Sequence, residues 1–287
     1  MSAKPVVLIT GASRGIGAAT ALAYGLAGWR VAITARTQTD GQQLDHQLRR
    51  PDGALLAGSL NRTAQSLRDA GAEGFSHPMA LMHSASMDQA LDAVLTHFGR
   101  VDVLINNAVY QDRETNAMLM ALDDDALLRT LHGNVVAPFH MTRRLLPTLL
   151  AQGKGLVINI CSGAGQNDPP LAADRGGWGY AYGASKAALM RLAGCINREH
   201  GAQGVRAYSV DPGVVTTEAV TATLGDDGLL AQRYGVMSPQ AIAQALVWLA
   251  CNEEAATYAK GKGMLTLQDL VKSQGLMPPT SGSLQLS

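Results

Sequence analysis

Short apolar runs alternate along the chain with longer segments in which apolar residues recur at helical spacing. The short runs lack the in-and-out alternation of a half-exposed strand, so they predict strands that are buried on both faces. The predicted strands are Val6–Ile9, Val31–Ala35, Val101–Ile105, Leu156–Ile160 and Val205–Val210. Parallel strands that are separated by helices have this pattern.

The longer segments predict helices that cover such a sheet. In Ala90–Phe98, for example, Leu91, Val94 and Phe98 fall on one helical face. The predicted helices are Gly17–Leu26, Ala90–Phe98, Leu127–Leu150, Ala184–His200, Ile242–Leu249 and a short one at Leu267–Ser273. Right-handed crossovers between the strands then predict an α/β fold, a Rossmann-type doubly wound parallel sheet with helices on both faces, in a single domain.

The composition limits which binding partners and which cellular compartment we expect. The 287 residues contain 23 Lys and Arg and 23 Asp and Glu, so the formal net charge is zero. A neutral chain offers no electrostatic attraction to nucleic acid or to a charged membrane surface, and no apolar stretch is long enough to cross a bilayer. The three cysteines are far apart and we interpret them as small buried hydrophobes in a reducing, cytoplasmic protein. Histidines and acids do not have metal-ligand spacing, so we predict no metal site.

A glycine-rich turn follows the first strand. Gly11, Gly15 and Gly17 have the spacing GxxxGxG between a predicted strand and a predicted helix. Glycines permit close backbone approach to a phosphate, and the N–H groups at the start of a helix favour an anion. The turn therefore predicts a dinucleotide diphosphate site that is formed by Gly11, Ser13, Arg14, Gly15, Ile16 and Gly17.

The turn, with Thr10 before it, resembles the TGxxxGxG motif of the short-chain dehydrogenase/reductase family. The resemblance extends over about Val6 to Leu249 and includes three further motifs. They are Asn106-Asn107-Ala108-Val109, which is similar to the family's NNAG, Tyr182-Gly183-Ala184-Ser185-Lys186, which matches YxxxK, and Pro212 to Thr217, which matches PGxxxT. Val109 stands where the family has glycine.

The resemblance implies that Ser162, Tyr182, Lys186 and Asn134 are the catalytic residues. In the YxxxK pair, a spacing of four places both side chains on one helix face. An ammonium group beside a phenol favours the phenolate, so the pair suits proton transfer to and from a substrate oxygen. The family serine holds the substrate oxygen, and its helix asparagine supports a proton relay from the lysine to solvent. Ser162 precedes Tyr182 by more residues than is usual, which predicts an insertion at Gln166–Trp178 beside the substrate pocket.

The resemblance also implies a nicotinamide cofactor. Its predicted binding residues are the glycine-turn residues above together with Arg36, Asn107, Ala108, Tyr182, Lys186, Pro212, Gly213, Val215 and Thr217. NAD-preferring enzymes have an acidic residue at the end of the second strand, whereas here Arg36 stands there, with Arg14 in the turn. Two guanidinium groups can bind a 2′-phosphate, so we predict NADP(H), with NAD(H) as the alternative. The family's adenine-contacting Asp is missing after the next strand, where His83 or Ser84 could substitute.

We therefore predict an NADP(H)-dependent oxidoreductase that transfers a hydride between nicotinamide and a small-molecule ketone or secondary alcohol. The alternatives are a non-catalytic NADP-binding regulatory protein on the same fold and an NAD(P)-using epimerase or dehydratase. Residues 1–277 form the predicted domain, with a cofactor half at about 1–155 and a catalytic and substrate half at about 156–277, followed by a flexible tail at 278–287. The polar loop Thr37–Gly58 either reaches the adenosine end of the cofactor or merely connects two elements. The family forms oligomers, but its usual C-terminal interface sequence is missing, so homodimer and homotetramer both stay open.

Overall fold

The architecture is a parallel sheet between two layers of helices. The computed structural model describes residues 4–45, 49–50, 52–112, 114–220 and 235–276. Its seven strands are parallel and have the order β3-β2-β1-β4-β5-β6-β7, which confirms the predicted doubly wound sheet. The strands are β1 Val6–Thr10, β2 Arg30–Ala35, β3 Gly74–Pro78, β4 Val103–Asn106, β5 Gly155–Ile160, β6 Val205–Asp211 and β7 Leu265–Thr266.

The helices divide between the two faces of the sheet. The α-helices in the described part of the chain are α1 Gly15–Leu26, α2 Leu60–Asp69, α3 Ser84–Phe98, α4 Asp124–Leu131, α5 Ala137–Ala151, α6 Tyr180–His200, α7 Pro239–Cys251, α8 Ala255–Ala259 and α9 Leu267–Gln274. Helices α1, α2, α7 and α9 share one apolar core with the sheet, and α3, α5 and α6 share the other. Strand β1 is buried at every position because it lies in the middle of both cores.

Two elements between β2 and α3 were missing from the sequence prediction. Strand β3 alternates between exposed and half-buried residues and contains Gly74 and Pro78, because it is an edge strand. Helix α2 is mostly polar and buries only Leu60, Thr63 and Leu67. Neither element has the apolar run or the wide apolar face on which the prediction depended.

The predicted helix Leu127–Leu150 is interrupted. Helices α4 and α5 are joined by a π-helical segment, His132–Val136, which buries Gly133 and Asn134. A π-turn contains one more residue per hydrogen-bonded ring than an α-helix, and such turns are frequent at functional sites. The prediction of one regular helix is therefore corrected at the position of a predicted catalytic residue.

The outer edge of β6 is covered by a side chain rather than by a full strand. Strand β7 pairs only with Val210 and Asp211. Beyond that pairing, the Asn197 amide of α6 donates to the Ala207 carbonyl at 2.8 Å and accepts from the Ala207 N–H at 2.7 Å. Both main-chain groups of Ala207 are thereby satisfied without a neighbouring strand.

The cysteine interpretation is correct for Cys161 and wrong for the other two. Cys161 is buried at the end of β5, whereas Cys195 and Cys251 are exposed because they lie on outward positions of α6 and α7. Within the described residues, no cluster of His, Cys, Asp and Glu has the arrangement of a metal site. No helix in the same ranges is long and apolar enough to span a membrane. The predicted tail at 278–287 lies outside the described residues.

Candidate active site

The glycine turn brings β1 and α1 close to the loop that follows β4. Gly11 has φ of 70°, and a Cβ there would lie 2.7 Å from Ala108 Cα. A Cβ on Gly17 would lie 2.4 Å from the Gly11 carbonyl oxygen. Helix α1 has no acidic residue in its first turn and no side-chain cap, so no residue of the helix occupies its N-terminal N–H groups, although the Glu218 carboxylate lies close to Gly15. This cradle suits a phosphate group.

Asn107 ties the two loops together. Its Nδ2 donates to the carbonyls of Thr10 at 2.8 Å and Gly11 at 3.1 Å. The Thr10 hydroxyl in turn accepts from the N–H groups of Asn107 and Ala108, each at 3.0 Å. Thr10 is a functional residue of the site to which the sequence analysis assigned no role, although its place before the first glycine was visible.

The other end of the site is organised around Lys186 and Tyr182. The Lys186 ammonium is almost completely buried and donates to the carbonyl of Ile160 at 2.8 Å. Its Nζ lies 5.8 Å from the centre of the Tyr182 ring. Tyr182 is half-buried in the first turns of α6, whereas Tyr180 is 59% exposed. The YxxxK spacing therefore places a fixed cation beside a phenol that solvent can reach.

Asn134 anchors a loop rather than facing the cavity directly. Its Oδ1 accepts from the Tyr110 N–H at 2.7 Å, and its Nδ2 donates to the Tyr110 carbonyl and the Ser185 hydroxyl, both at 3.3 Å. Tyr110 packs so tightly on Gly133 that a Cβ on Gly133 would lie 2.2 Å from Tyr110 Cβ. Asn134 thus connects the loop after β4 with the residue before Lys186.

Ser162 lies in a turn that presses against α6. Its hydroxyl accepts from the Ala164 N–H at 3.2 Å, which starts a short 3₁₀ turn at Gly163–Gly165. A Cβ on Gly165 would lie 2.8 Å from the carbonyl carbon of Lys186. The close contact places the turn that carries Ser162 against the helix turn that carries Lys186.

A single cavity of about 340 Å³ joins the two ends. Every residue that the sequence analysis assigned to cofactor binding lines it: Gly11, Ser13, Arg14, Gly15, Ile16, Gly17, Arg36, Asn107, Ala108, Tyr182, Lys186, Pro212, Gly213, Val215 and Thr217. Ser162 and Asn134 do not belong to the lining, nor do His83 and Ser84, whose proposed adenine contact the cavity does not support. The described lining also includes Leu56, Cys161 and Glu218, which the sequence analysis did not select.

The cavity is cationic at one corner and apolar at its floor. Burial lowers the pKa of Arg14, where Glu218 acts in the opposite direction and Arg36 in the same direction as burial. Burial likewise lowers the pKa of Arg36. At the floor, burial raises the pKa of the Cys161 thiol, so this group is neutral at neutral pH.

Comparison with known proteins identifies the family. The sequence matches the family described as short chain dehydrogenase over residues 5–59 and 53–227. The chain belongs to the short-chain dehydrogenase family. It is an oxidoreductase family, and the 3-oxoacyl-[acyl-carrier-protein] reductase of Synechocystis sp. is 30% identical to this chain over 262 residues, which cover 90% of the chain and 93% of the relative.

Solved structures of short-chain dehydrogenases have the same fold. A metagenomic short-chain oxidoreductase in complex with NADP is 31% identical with a TM-score of 0.64, covering 86% of this chain and 91% of that one. Carveol dehydrogenase from Mycobacterium avium in complex with NAD has a TM-score of 0.76, with 92% of this chain and 96% of that one covered. The latter identity is only 19%, so that likeness supports the fold alone.

Proposed function

We propose that the protein is an NADP(H)-dependent oxidoreductase that interconverts a small-molecule ketone and a secondary alcohol. The observation that carries this proposal is the single cavity shared by the glycine turn, Tyr182 and Lys186. A dinucleotide site alone would suit a regulatory protein, but here Tyr182 and the anion cradle line the same cavity. The reductase and the NADP complex among the similar proteins support the same chemistry.

The residues that would hold the cofactor fit its parts. The glycine turn and the start of α1 suit the diphosphate, with Thr217 packed beside Gly15, while Pro212 and Gly213 line the same cavity. When bound, the nicotinamide supplies the hydride. The chain's own task is to bind this group, orient the substrate carbonyl and move one proton.

Tyr182 moves that proton in our proposal. In the reductive direction its hydroxyl donates to the carbonyl oxygen, and in the oxidative direction its phenolate accepts the alcohol proton. Lys186 stabilises the phenolate because its ammonium is fixed by the Ile160 carbonyl. Ser162 orients and polarises the substrate oxygen, and Asn134 maintains the path by which the proton is replaced from solvent.

The basic corner of the cavity favours NADP(H) over NAD(H). Arg14 and Arg36 both line it, and no acidic residue follows β2 until Asp40. Guanidinium groups bind a phosphate through paired N–H donors, whereas an acid at this place would bind ribose hydroxyls. Met79 and Leu81 line the same corner, because they follow β3 beside the end of β2, so they would flank the adenosine end of the cofactor. The cytoplasmic location and the homodimer or homotetramer stay predictions.

The experiment is NADPH oxidation against a panel of ketones, with NADH as the comparison cofactor. Tyr182→Phe removes the proton and should reduce turnover by about a thousandfold or more while NADPH binding stays within about twofold. Tyr180→Phe is the matched control, because this tyrosine lies in the same helix turn and is exposed. Turnover by Tyr182→Phe at the control's rate would remove Tyr182 from the mechanism. NADPH binding without any turnover by the wild type would favour the regulatory alternative, and retention of cofactor through turnover would favour an epimerase.

A further inference from the structure

Arg14 is held by a segment of the long loop that precedes α2. Its Nε donates to the carbonyl of Ala57 at 2.8 Å. Its Nη2 donates to the carbonyls of Gly58 at 3.0 Å and Leu56 at 3.5 Å. Three successive carbonyls therefore bind one edge of the guanidinium group, and we define Leu56–Gly58 as the carbonyl latch.

The carbonyl latch fits only because residue 58 is glycine. Gly58 has φ of 107°, and a Cβ there would lie 2.5 Å from the Ser13 carbonyl oxygen and 2.8 Å from Arg14 Cβ. Both the backbone conformation and the lack of space exclude a side chain. Leu56 is buried against the cavity, so the latch forms part of the cavity wall.

The chain after the latch is firmly anchored. The Ser59 hydroxyl caps α2 by accepting from the Arg62 N–H at 3.2 Å. The Thr63 hydroxyl donates to the Ala12 carbonyl at 2.8 Å, and the Leu60 N–H donates to the Thr37 carbonyl at 2.9 Å. The latch is thus fixed at its C-terminal end to the glycine turn and to the end of β2.

The latch carbonyls do not bind the other edge of the Arg14 guanidinium group, so that edge can bind an anion. Nη1 of Arg14 makes no hydrogen bond to any residue within the described ranges. Arg36 lines the same cavity and its Nη1 donates to the Asp45 carbonyl at 3.0 Å, so both guanidinium groups are positioned by loop carbonyls. The two like charges repel each other and Glu218 offsets part of this repulsion, so a phosphate bound at this corner would offset more of it.

We propose that the carbonyl latch is a specificity-determining element: it fixes Arg14 so that the groove selects a dinucleotide with a 2′-phosphate. This inference rests on the proposed function, because it names how that function would choose NADP(H). The three loop carbonyls offset part of the cost of burying the cation, and the Glu218 carboxylate also favours the charged guanidinium group from a distance. Of the loop Thr37–Gly58, the described segment Leu56–Gly58 reaches the adenosine end of the cofactor in this proposal, while residues 46–48 and 51 lie outside the described residues.

The test measures dissociation constants for NADPH and NADH by their fluorescence on binding. We expect the wild type to bind NADPH at least about tenfold more tightly than NADH. Gly58→Ala should weaken NADPH binding by about tenfold and NADH binding by less than about twofold. Gly53→Ala is the matched control, since Gly53 has φ of 82° in the same loop but no atom within 4 Å of its Cβ position. It should change neither constant.

A double-variant cycle separates the latch from the glycine turn. If Gly58 acts through Arg14, then adding Gly58→Ala to Arg14→Ala should cause no further loss of NADPH preference. Equal weakening of NADPH and NADH by Gly58→Ala, or additive losses in the cycle, would overturn the proposal, because either result would assign the effect to the nearby Ser13 backbone.

A second variant keeps the test decisive if Gly58→Ala does not fold. Arg14→Lys retains the positive charge but lacks the planar fork whose Nε and Nη2 together span the three carbonyls, so it should lose about tenfold of the NADPH preference. An unchanged preference would overturn the proposal. Equal wild-type affinity for the two cofactors would also overturn it without affecting hydride transfer. Failure of the wild type to bind either cofactor would instead contradict the proposed function.

Discussion

The two ends of the cavity are built by different means. At the glycine turn, the shape comes from main-chain atoms, because Gly11 and Gly17 permit contacts that any side chain would block. At the reaction end, the geometry comes from buried polar side chains, since Lys186 and Asn134 each bind main-chain groups of other elements. A substitution can therefore weaken cofactor binding without slowing proton transfer, or the reverse. Substitutions at the two ends should show that separation.

The largest effect is expected at the reaction end. Lys186→Met removes the ammonium while keeping a long apolar side chain, and kcat should fall by about a thousandfold because the phenolate loses its cation. NADPH affinity should fall far less, as measured by fluorescence titration. Lys260→Met, at an exposed lysine of α8's C-terminal end, is the control. A loss confined to NADPH affinity would contradict the division of the cavity into a binding end and a reaction end.

The second effect is expected at the glycine turn. Gly17→Ala forces a Cβ against the Gly11 carbonyl and the Asn107 amide, so NADPH binding should weaken by about a hundredfold. With saturating cofactor, kcat should change little. Gly194→Ala in α6 is the matched control, because no atom lies within 4 Å of its Cβ position. It should stabilise the fold by about 0.5–1 kcal/mol, measured by urea denaturation. Normal NADPH affinity in Gly17→Ala would show that the turn does not shape the binding end.

A smaller effect sharpens the comparison at the π-helical segment. Asn134→Ala removes the two bonds that Asn134 makes to the main chain of Tyr110, so we expect about 1–3 kcal/mol less stability. We also expect kcat to fall by about tenfold, with the loss depending on pH if Asn134 supports proton supply. Asn61→Ala on the exposed side of α2 serves as control. A stability loss with an unchanged kcat and pH profile would assign Asn134 a structural role only.

The smallest effect concerns a thiol at the floor of the cavity. Burial raises the pKa of Cys161, so its reactive thiolate forms only as the pH rises through that raised value. In a Cys251→Ser background, iodoacetamide at pH 8 should modify exposed Cys195 at least about tenfold faster than Cys161. NADPH should slow the Cys161 reaction further. Equal rates for the two thiols, determined by peptide mass spectrometry, would show that the floor is open.

The sequence predicted the parts of the molecule in which local chemistry decides the structure. Strand β1 is apolar over its full predicted length and β5 departs from this only at Asn159, because both faces of these strands are covered. The glycine turn was equally visible, since close backbone contact at Gly11 and Gly17 restricts these positions to glycine. The residues that were predicted to bind the cofactor all line one cavity.

Features that depend on contacts between distant residues were not predicted. The π-helical segment depends on the packing of Tyr110 against Gly133, and the apolar spacing of α4 and α5 gave no sign of it. The carbonyl latch uses main-chain oxygens, which every residue possesses, so no residue type in Leu56–Gly58 indicates the bond to Arg14. Likewise, α2 and β3 depend on packing and pairing at the sheet edge, and their own mostly polar residues do not indicate them.

The Asn197 amide limits the pairing of another polypeptide with β6. Its two bonds to Ala207 occupy the groups by which another polypeptide would extend the sheet at this register. Replacing Asn197 with leucine would leave the N–H and carbonyl of Ala207 without these two bonds, so we expect intermolecular β-pairing, measured as turbidity at high concentration. This one amide therefore blocks extension of the sheet at Ala207.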